Sequence, residues 1–375
     1  MKLYGDVKNN ILQVKLDKRN DVYNWGLDNL FPQLIETLIN QSVTSKTCVD
    51  KVAKAIYGKS FGELGNVIVN SDGQTLNELL RISARQYSKH NNLFIHIGYN
   101  GLFQIKSLKV LTANDVRVGK ADDLGYSGKL LVYDNWNKAD GKIDNKKFKI
   151  YDRFNPNKTV IQSQIDKAGN INKYKGQILH LQQDSNTIYS LPDLNPVIGE
   201  ALLENNSQIF RSNGAEKGFL NTKLMTVQAF NSDDERRQFT NKLNDLQGAE
   251  NSGNILLLES SNVTDDLSKQ VMLEDLSSAY NDKLFEYSDG QAEANICKAF
   301  GVPKVLVNPS ESGLFGNSGE LLREAKKQLF EDREEERDMF ESVFNLLMKN
   351  FQEPIDSLKI INPFEITTPT QTPQL

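Results

Sequence analysis

Gly313, Gly316 and Gly319 cluster in the second half of the stretch 299–320, which reads AFGVPKVLVNPSESGLFGNSGE. A phosphate-cradling loop places such glycines after a strand and ends in Gly-Lys-Ser/Thr. Backbone N–H groups then hold the phosphates, the lysine reaches the terminal one and the hydroxyl ligates magnesium. Here Glu320 follows the last glycine and no lysine lies between Lys304 and Lys326. A carboxylate therefore stands where the phosphate charge would sit. Ser318 and Glu320 read instead as a helix cap and a first-turn acid, and the stretch reads as a flexible connection ahead of a capped helix.

The remaining chemistry-bearing residues are few. There are three histidines. His96 in LFIHIGY and His180 in QILHLQQ fall in strand interiors, where a satisfied sheet histidine is the expectation. Cys48 and Cys297 are far apart, and each sits in an apolar-periodic segment. Buried, reduced thiols in a reducing cytoplasm are expected. No Cys/His set has zinc spacing and no G-x-S-x-G is present. The acids of SDDERRQF open a helix, where they serve capping and the dipole. No set of residues assembles a catalytic centre, no cofactor is implied, and the reading is a structural or interaction protein, not an enzyme.

The 375 residues allow two or three structural units. A net charge of -5 argues against a chain that as a whole displaces counterions from DNA. No run approaches the roughly 18 apolar residues of a membrane span, and MKLYGDVKNN lacks the apolar core of a signal peptide.

Elements follow from periodicity. Residues 27–57 have helical spacing (Leu34, Leu38, then Cys48, Val52, Ile56), with Gly58 at the end. NVIVNSDGQTLNELL predicts a short strand, an Asp-Gly turn and a helix to about His90. From 93 to 190, LFIHIGY, LFQIKSLKVL, KLLVYDNW, KFKIYDRF, TVIQSQI and QILHLQQ predict strands of an antiparallel region and not a βαβ series. A helix is predicted from Pro196 to about Ser212. Residues 216–273 form a second small mixed unit with a polar helix and strands at GNILLLE and KQVML. A helix over about 276–300 follows, then the glycine-bearing stretch, then a helix over 319–351 about 50 Å long. That helix carries two apolar seams, Leu322/Ala325/Leu329 and Phe340/Val343/Leu347/Phe351. Between them the acidic run EDREEERD (331–338) reads as a solvated face, and the interrupted seam permits a bend. The tail NPFEITTPTQTPQL is Pro/Thr-rich and reads as disordered or ordered on binding. The fold class is α+β.

The order of these segments resembles the portal proteins of tailed bacteriophages, the ring at the capsid vertex through which DNA passes. DNLFPQLIETLINQSVTSKTCVDKVAKAIYGKSF looks like the family's N-terminal helical segment, and DGQTLNELLRISARQYSKHNNLFIHIGYN like the following helix and strand. NPVIGEALLENNSQIFRSNGAEKGFL is similar to a stem helix. The most specific likeness is EANICKAFGVPKVLV followed by GLFGNSGELLREAKKQLFEDREEERDMFESVFNLL: a helix ending in Phe-Gly-Val-Pro, a glycine-bearing loop, and a long helix. The likeness spans roughly residues 25–351 and rests on order and spacing, not on one motif.

By that resemblance residues 1–195 and 318–351 form a wing, 196–215 and 275–302 two stem helices, 216–274 a clip, and 303–317 a tunnel loop. Residues 352–375 are a tail or a reduced crown. The resemblance implies a ring, usually of twelve copies, in the virion at the portal vertex, assembled in the host cytoplasm. Its implied partners are the terminase large subunit, a head–tail adaptor, the major capsid and scaffold proteins, and double-stranded DNA passing non-specifically, with no membrane. The tunnel-loop residues are then Lys304, Asn308, Ser310, Glu311, Ser312, Gly313, Gly316 and Asn317: polar, with two charges, so that a duplex slides without being gripped. In the clip, Phe219, Leu220, Leu224 and Met225 pair between subunits, while Glu235, Arg236 and Arg237 face partners. Two other classes remain open. One is a different virion or scaffold-associated protein without a channel; the other is a nucleic-acid-processing enzyme with an unrecognised site.

Overall fold

The computed structural model describes residues 14–137, 147–217, 223–228, 232–246, 255–260, 271–275, 282–309 and 318–365. The chain divides into two compact units, residues 1–201 with 293–375, and residues 202–292.

In the larger unit, the apolar-periodic N-terminal segment forms two helices, α1 (Phe31–Gln41) and α2 (Val43–Tyr57). They part at Ser42, whose extended backbone and side-chain oxygen, accepting from Ser45 N–H, cap α2. Ile35 and Leu38 of α1, and Cys48, Val52 and Ile56 of α2, are all buried. Helix α3 (Leu76–His90) starts with a capping box between Thr75 and Glu78. It packs on strands β3 (Asn92–Tyr99) and β4 (Ile105–Leu111). The strand expected ahead of α3 is reduced to a single bridge, Ile68 to Thr75.

The main sheet has six strands in the order β4-β3-β8-β7-β6-β5, with β5 at Val116–Val118, β6 at Lys129–Val132, β7 at Lys149–Arg153 and β8 at Gln177–Gln182. Strand β3 lies between β4 and β8, and most of its side chains on both faces are buried. The hairpin β1 (Val14–Asp17)–β2 (Val22–Trp25) meets β5's end through a bridge from Val22 to Gly119.

Two expectations need correction here. TVIQSQI is not a strand but the middle of α4 (Lys158–Ala168). Asn157 caps it by accepting the Thr159 N–H at 3.0 Å, and Ile161 and Ile165, one turn apart, are its buried face. The β-branched composition suits a strand, but the cap and the i, i+4 pair decide. Strand β7 therefore runs through α4 into β8 and pairs with it in parallel at Asp152–Gln177 and Arg153–Ile178. The region contains one βαβ crossover and is a mixed sheet, not a purely antiparallel one.

The expected single C-terminal helix is two: α9 (Ser318–Glu331) and α10 (Glu334–Lys349), parted at Asp332–Arg333. Residues 352–365 then return over the unit. Leu358 and Ile360 are buried, and Ile361 exchanges main-chain hydrogen bonds with Lys59 and Ser60. The rest of the Pro/Thr-rich tail, 366–375, lies outside the described residues.

The smaller unit holds a three-stranded sheet in the order β10-β9-β11. Strand β9 (Lys223–Gln228) is parallel to β10 (Ile255–Ser260) and antiparallel to β11 (Val271–Asp275), with α6 (Asp233–Leu246) as the crossover between β9 and β10. The unit boundaries fall within α5 (Ile198–Lys217) and α7 (Asp282–Ala299). Arg211 of α5 and Asp289 of α7 form an ion pair at 2.8 Å inside the smaller unit.

Candidate functional site

The stretch singled out by its glycines is held at its root by helix-end chemistry. Helix α7 closes with a Schellman arrangement: the Val302 N–H donates to the Cys297 carbonyl at 2.9 Å and the Gly301 N–H to Lys298 at 3.1 Å. Gly301 has φ +60°, the left-handed conformation that this closure needs. Pro303 then starts the one-turn helix α8 (Lys304–Val307). Phe300, Val302 and Leu306 are buried and fix the stretch against the unit.

Arg333, from the junction of α9 and α10, secures this end. Its Nη2 donates to the Phe300 carbonyl, its Nη1 to Glu336 at 2.7 Å, and Asp193 lies 3.9 Å away. Burial pushes the Asp193 carboxyl up in pKa, while Asn91, donating to Oδ1 at 2.8 Å, works against that shift. One turn on, Arg337 is buried over the Phe330 ring, 3.6 Å from its centroid, and donates to the carbonyls of Phe330 and Ala55.

The acidic run is thus not simply a solvated face. Glu331, Asp332, Glu334, Glu335 and Asp338 are exposed, but Arg333, Glu336 and Arg337 turn inward. The signal was present in the sequence. Arg333, Arg337, Phe340, Phe344, Leu347 and Phe351 recur at alternating intervals of four and three, so the arginines continue the apolar seam.

Beside this root lies a cavity of about 480 Å³ with Leu306, Leu329, Phe330 and Phe364 on its apolar side. Lys51, Lys54 and Lys326 line it too. Burial, with Lys54 and Lys326 close by, holds the Lys51 ammonium below the ordinary lysine pKa.

Of the eight proposed tunnel-loop residues, two are described. Lys304 stands in α8 with its Nζ 3.8 Å from Glu293 Oε2, and Asn308 closes that turn, donating its N–H to the Lys304 carbonyl. Ser310, Glu311, Ser312, Gly313, Gly316 and Asn317 lie outside the described residues, as do Phe219 and Leu220. Leu224 and Met225 are on β9, the middle strand of its sheet, opposite Leu256 and Leu257 on one side and Glu274 and Leu273 on the other. Glu235, Arg236 and Arg237 are exposed in the first turns of α6, where the Glu235 N–H donates to Ser232 Oγ at 3.3 Å. The structure does not bring the α8 pair and these α6 residues into one unit.

Two of the three histidines are held within the sheet. His96 Nε2 is 2.7 Å from the Lys175 carbonyl; His180 Nε2 is 3.0 Å from Asn92 Oδ1, with its ring stacked on Phe94. Burial holds both below the usual imidazole pKa, His180 at about 3. Cys48 and Cys297 are both buried. Among the described residues no group of three His, Cys, Asp or Glu side chains is placed to hold a metal ion, and no helix is long and apolar enough to cross a membrane.

No protein-family model and no curated protein matches the chain. Solved structures do. A chain in the virion of a native gene transfer agent particle, and in the neck of that particle computed with twelve-fold symmetry, aligns over 84% of this chain and 79% of its own, with 14% identity and a TM-score of 0.53. In the neck of the empty particle, computed with six-fold symmetry, the coverage is 86% and 82% at the same identity and TM-score. An HK97-family phage portal protein from Corynebacterium diphtheriae aligns over 81% of this chain and 90% of its own, at 9% identity and a TM-score of 0.40. The chain has the mixed helix-and-sheet fold of the particle-neck chain.

Proposed function

We propose that this chain is a portal-type subunit: copies close into a ring at one vertex of a phage-like particle, around a channel for DNA packaging and ejection. The observation that carries the reading is the fold shared over 84% of the chain with a particle-neck chain. It agrees with the portal resemblance read from segment order. The neck's twelve-fold symmetry supports twelve copies, although the empty particle's neck was computed with six-fold symmetry. A ring also suits the smaller unit, since about ninety residues bury a modest core and gain from neighbours.

On this reading residues 303–317 face the DNA. The root described above supports that role: a buried, hydrogen-bonded helix end presents a short turn whose one lysine has a carboxylate 3.8 Å away. Residues 196–215 and 275–302 are the stem helices and 216–274 the clip. The terminase large subunit and a head–tail adaptor dock on the clip, where Glu235, Arg236 and Arg237 are exposed on α6. The test is electron-microscopy class averaging of the purified chain, with native mass as the count. Closed rings with a central hole are expected. A chain that stays monomeric alone and with its particle partners overturns the assignment in favour of a virion protein without a channel.

A further inference from the structure

A second cavity, in the β-rich part, is unrelated to the loop root. It has a volume of about 760 Å³ and sits where strand β7 and strand β8 separate, roofed by α4. Five cationic side chains line it, Lys129, Arg153, Lys167, Lys173 and Lys175, against one carboxylate, Asp152. That carboxylate is engaged by Lys129 at 2.5 Å. Among the described residues the other four cations form no ion pair. A cationic pocket of this density on a chain of net charge -5 is a local feature, not a consequence of composition.

The sheet adds a second, independent feature. Strand β7 pairs with β6 over Lys149–Asp152, but with β8 only at Asp152 and Arg153. The Arg153 N–H donates to Gly128 on the β6 side, and the Phe154 N–H to Ile178 on the β8 side. Main-chain groups alternate along a strand, so those of Ile150 point to the β8 side, where β8 has not yet begun. Ile150 and Tyr126 both line the cavity, 49% and 53% exposed. Among the described residues, a short stretch of this strand edge is therefore unpaired and opens into a cationic, partly apolar cavity.

We propose that this cavity binds an extended acidic peptide segment of a partner protein. The segment pairs with the open edge of β7 beside Ile150 and sets alternate carboxylates against Lys167, Lys173, Lys175 and Arg153. An open strand edge recognises a peptide main chain, with pockets for alternate side chains. Nucleic acid is less well matched. A single strand calls for successive exposed aromatic platforms, and this lining offers Tyr126 and the half-buried Tyr174. The proposal does not depend on the ring.

The test is fluorescence anisotropy of the full chain with a labelled peptide of about ten residues alternating valine with aspartate or glutamate. Its comparators are the same peptide with alternate backbone nitrogens methylated and an oligothymidylate of equal charge. Saturable binding that weakens with salt is expected. The variant combining Lys167→Glu, Lys173→Glu and Lys175→Glu should weaken it at least about ten-fold, and methylation should do the same on the unaltered protein. The three lysines are exposed, so an unchanged melting temperature accompanies the loss. Three results overturn the proposal: no binding up to about 1 mM peptide, equal binding of the methylated peptide, or oligothymidylate binding as tight as the peptide's.

Discussion

Arg117 is fully buried on β5 and offers a sharp test of how the larger unit is held together. No carboxylate lies within ion-pair distance among the described residues; its guanidinium donates to oxygens of neighbouring loops and of Val116 on its own strand. Nε donates to Asn29 Oδ1 and Nη2 to the Asn29 carbonyl, both at 2.6 Å. Nη1 donates to the carbonyls of Ala113 at 2.9 Å, Val116 at 2.7 Å and Asn114 at 3.2 Å. The group also faces the rings of Trp136 and Trp25, at 5.2 and 5.8 Å. Burial pushes its pKa down to about 10, so it stays charged at neutral pH.

Arg117→Met keeps much of the volume and removes every donor. Asn29 Oδ1 retains the Trp25 N–H at 2.8 Å, but the carbonyls of Asn29, Ala113 and Val116 lose this donor. At about 1 kcal/mol each, the low end for a buried orphan, the loss is about 3 kcal/mol. At about 2–4 °C per kcal/mol for a unit of this size, the melting temperature falls by roughly 6–12 °C. Arg117→Lys restores charge without the planar fork and should recover less than half. The assay is built in: Trp25 and Trp136, the chain's two tryptophans, are buried against this guanidinium, so intrinsic fluorescence reports this unit. A drop below about 2 °C for the methionine variant would mean that the carbonyls find other donors and that the network is not what ties β5 to the 26–30 turn.

Other consequences follow from the same physics. His180, with a folded pKa of about 3 against 6.5, is neutral in the fold, so unfolded chains take up a proton that native ones do not. Stability is then complete above pH 6.5 and falls by about 1.4 kcal/mol per pH unit towards pH 3; His180→Gln should remove that share of the slope in urea titrations between pH 6 and 4, and an unchanged slope would contradict it. Glu36, held at about 2 by the His90 ring and then by Lys89 and Asn114, adds a further loss in the same direction below pH 4.5. Gly176→Ala should cost at least about 2 kcal/mol, because its φ is +88° and a Cβ would fall 2.1 Å from the Ile97 carbonyl oxygen; circular dichroism melting checks it. Replacing Ser310, Ser312 and Asn317 by lysine in assembled rings should create strongly salt-dependent DNA retention. Rings whose DNA binding is indifferent to those changes would place the loop away from the channel.

The sequence was most legible where one period ran unbroken between clear caps. Helices α2 and α3, capped at Ser42 and Thr75, with Cys48, Val52 and Ile56 buried at their spacing, are of this kind, and so is β3, whose apolar run lies between two neighbours. It was least legible where composition and period disagree. Val160, Ile161 and Ile165 have strand-forming side chains on a helix, and Asn157, just ahead of the first of them, carries the contrary signal as a cap. Strand β5 is three residues long, too short for a period, and it holds a fully buried arginine where a strand pattern expects an apolar side chain.

The proposed site was half legible for a related reason. Phe-Gly-Val-Pro marks a helix end because each residue contributes separately to it. Phe300 is buried, Gly301 takes the left-handed turn, Val302 returns a hydrogen bond to Cys297, and Pro303 starts the next turn. Those contributions are local and can be read. The partner that secures this end, Arg333, is 33 residues from Phe300, inside a run of acids, and reads as a surface charge by composition. Its role shows in the heptad-like continuation of the seam through Arg337 to Phe340 and Phe344. If residues 303–317 face passing DNA, as proposed, their root must stay fixed, and a guanidinium binding the Phe300 carbonyl supplies that fixity in a way an apolar contact cannot. Arg333→Ala should therefore lower stability by about 1–3 kcal/mol through the orphaned carbonyl and the uncompensated Glu336 and Asp193. Arg333→Lys should recover only part of this. In assembled rings both variants should alter DNA passage before they alter ring closure. Rings that fail to close while the isolated chain keeps its melting temperature would place Arg333 at a contact between copies instead.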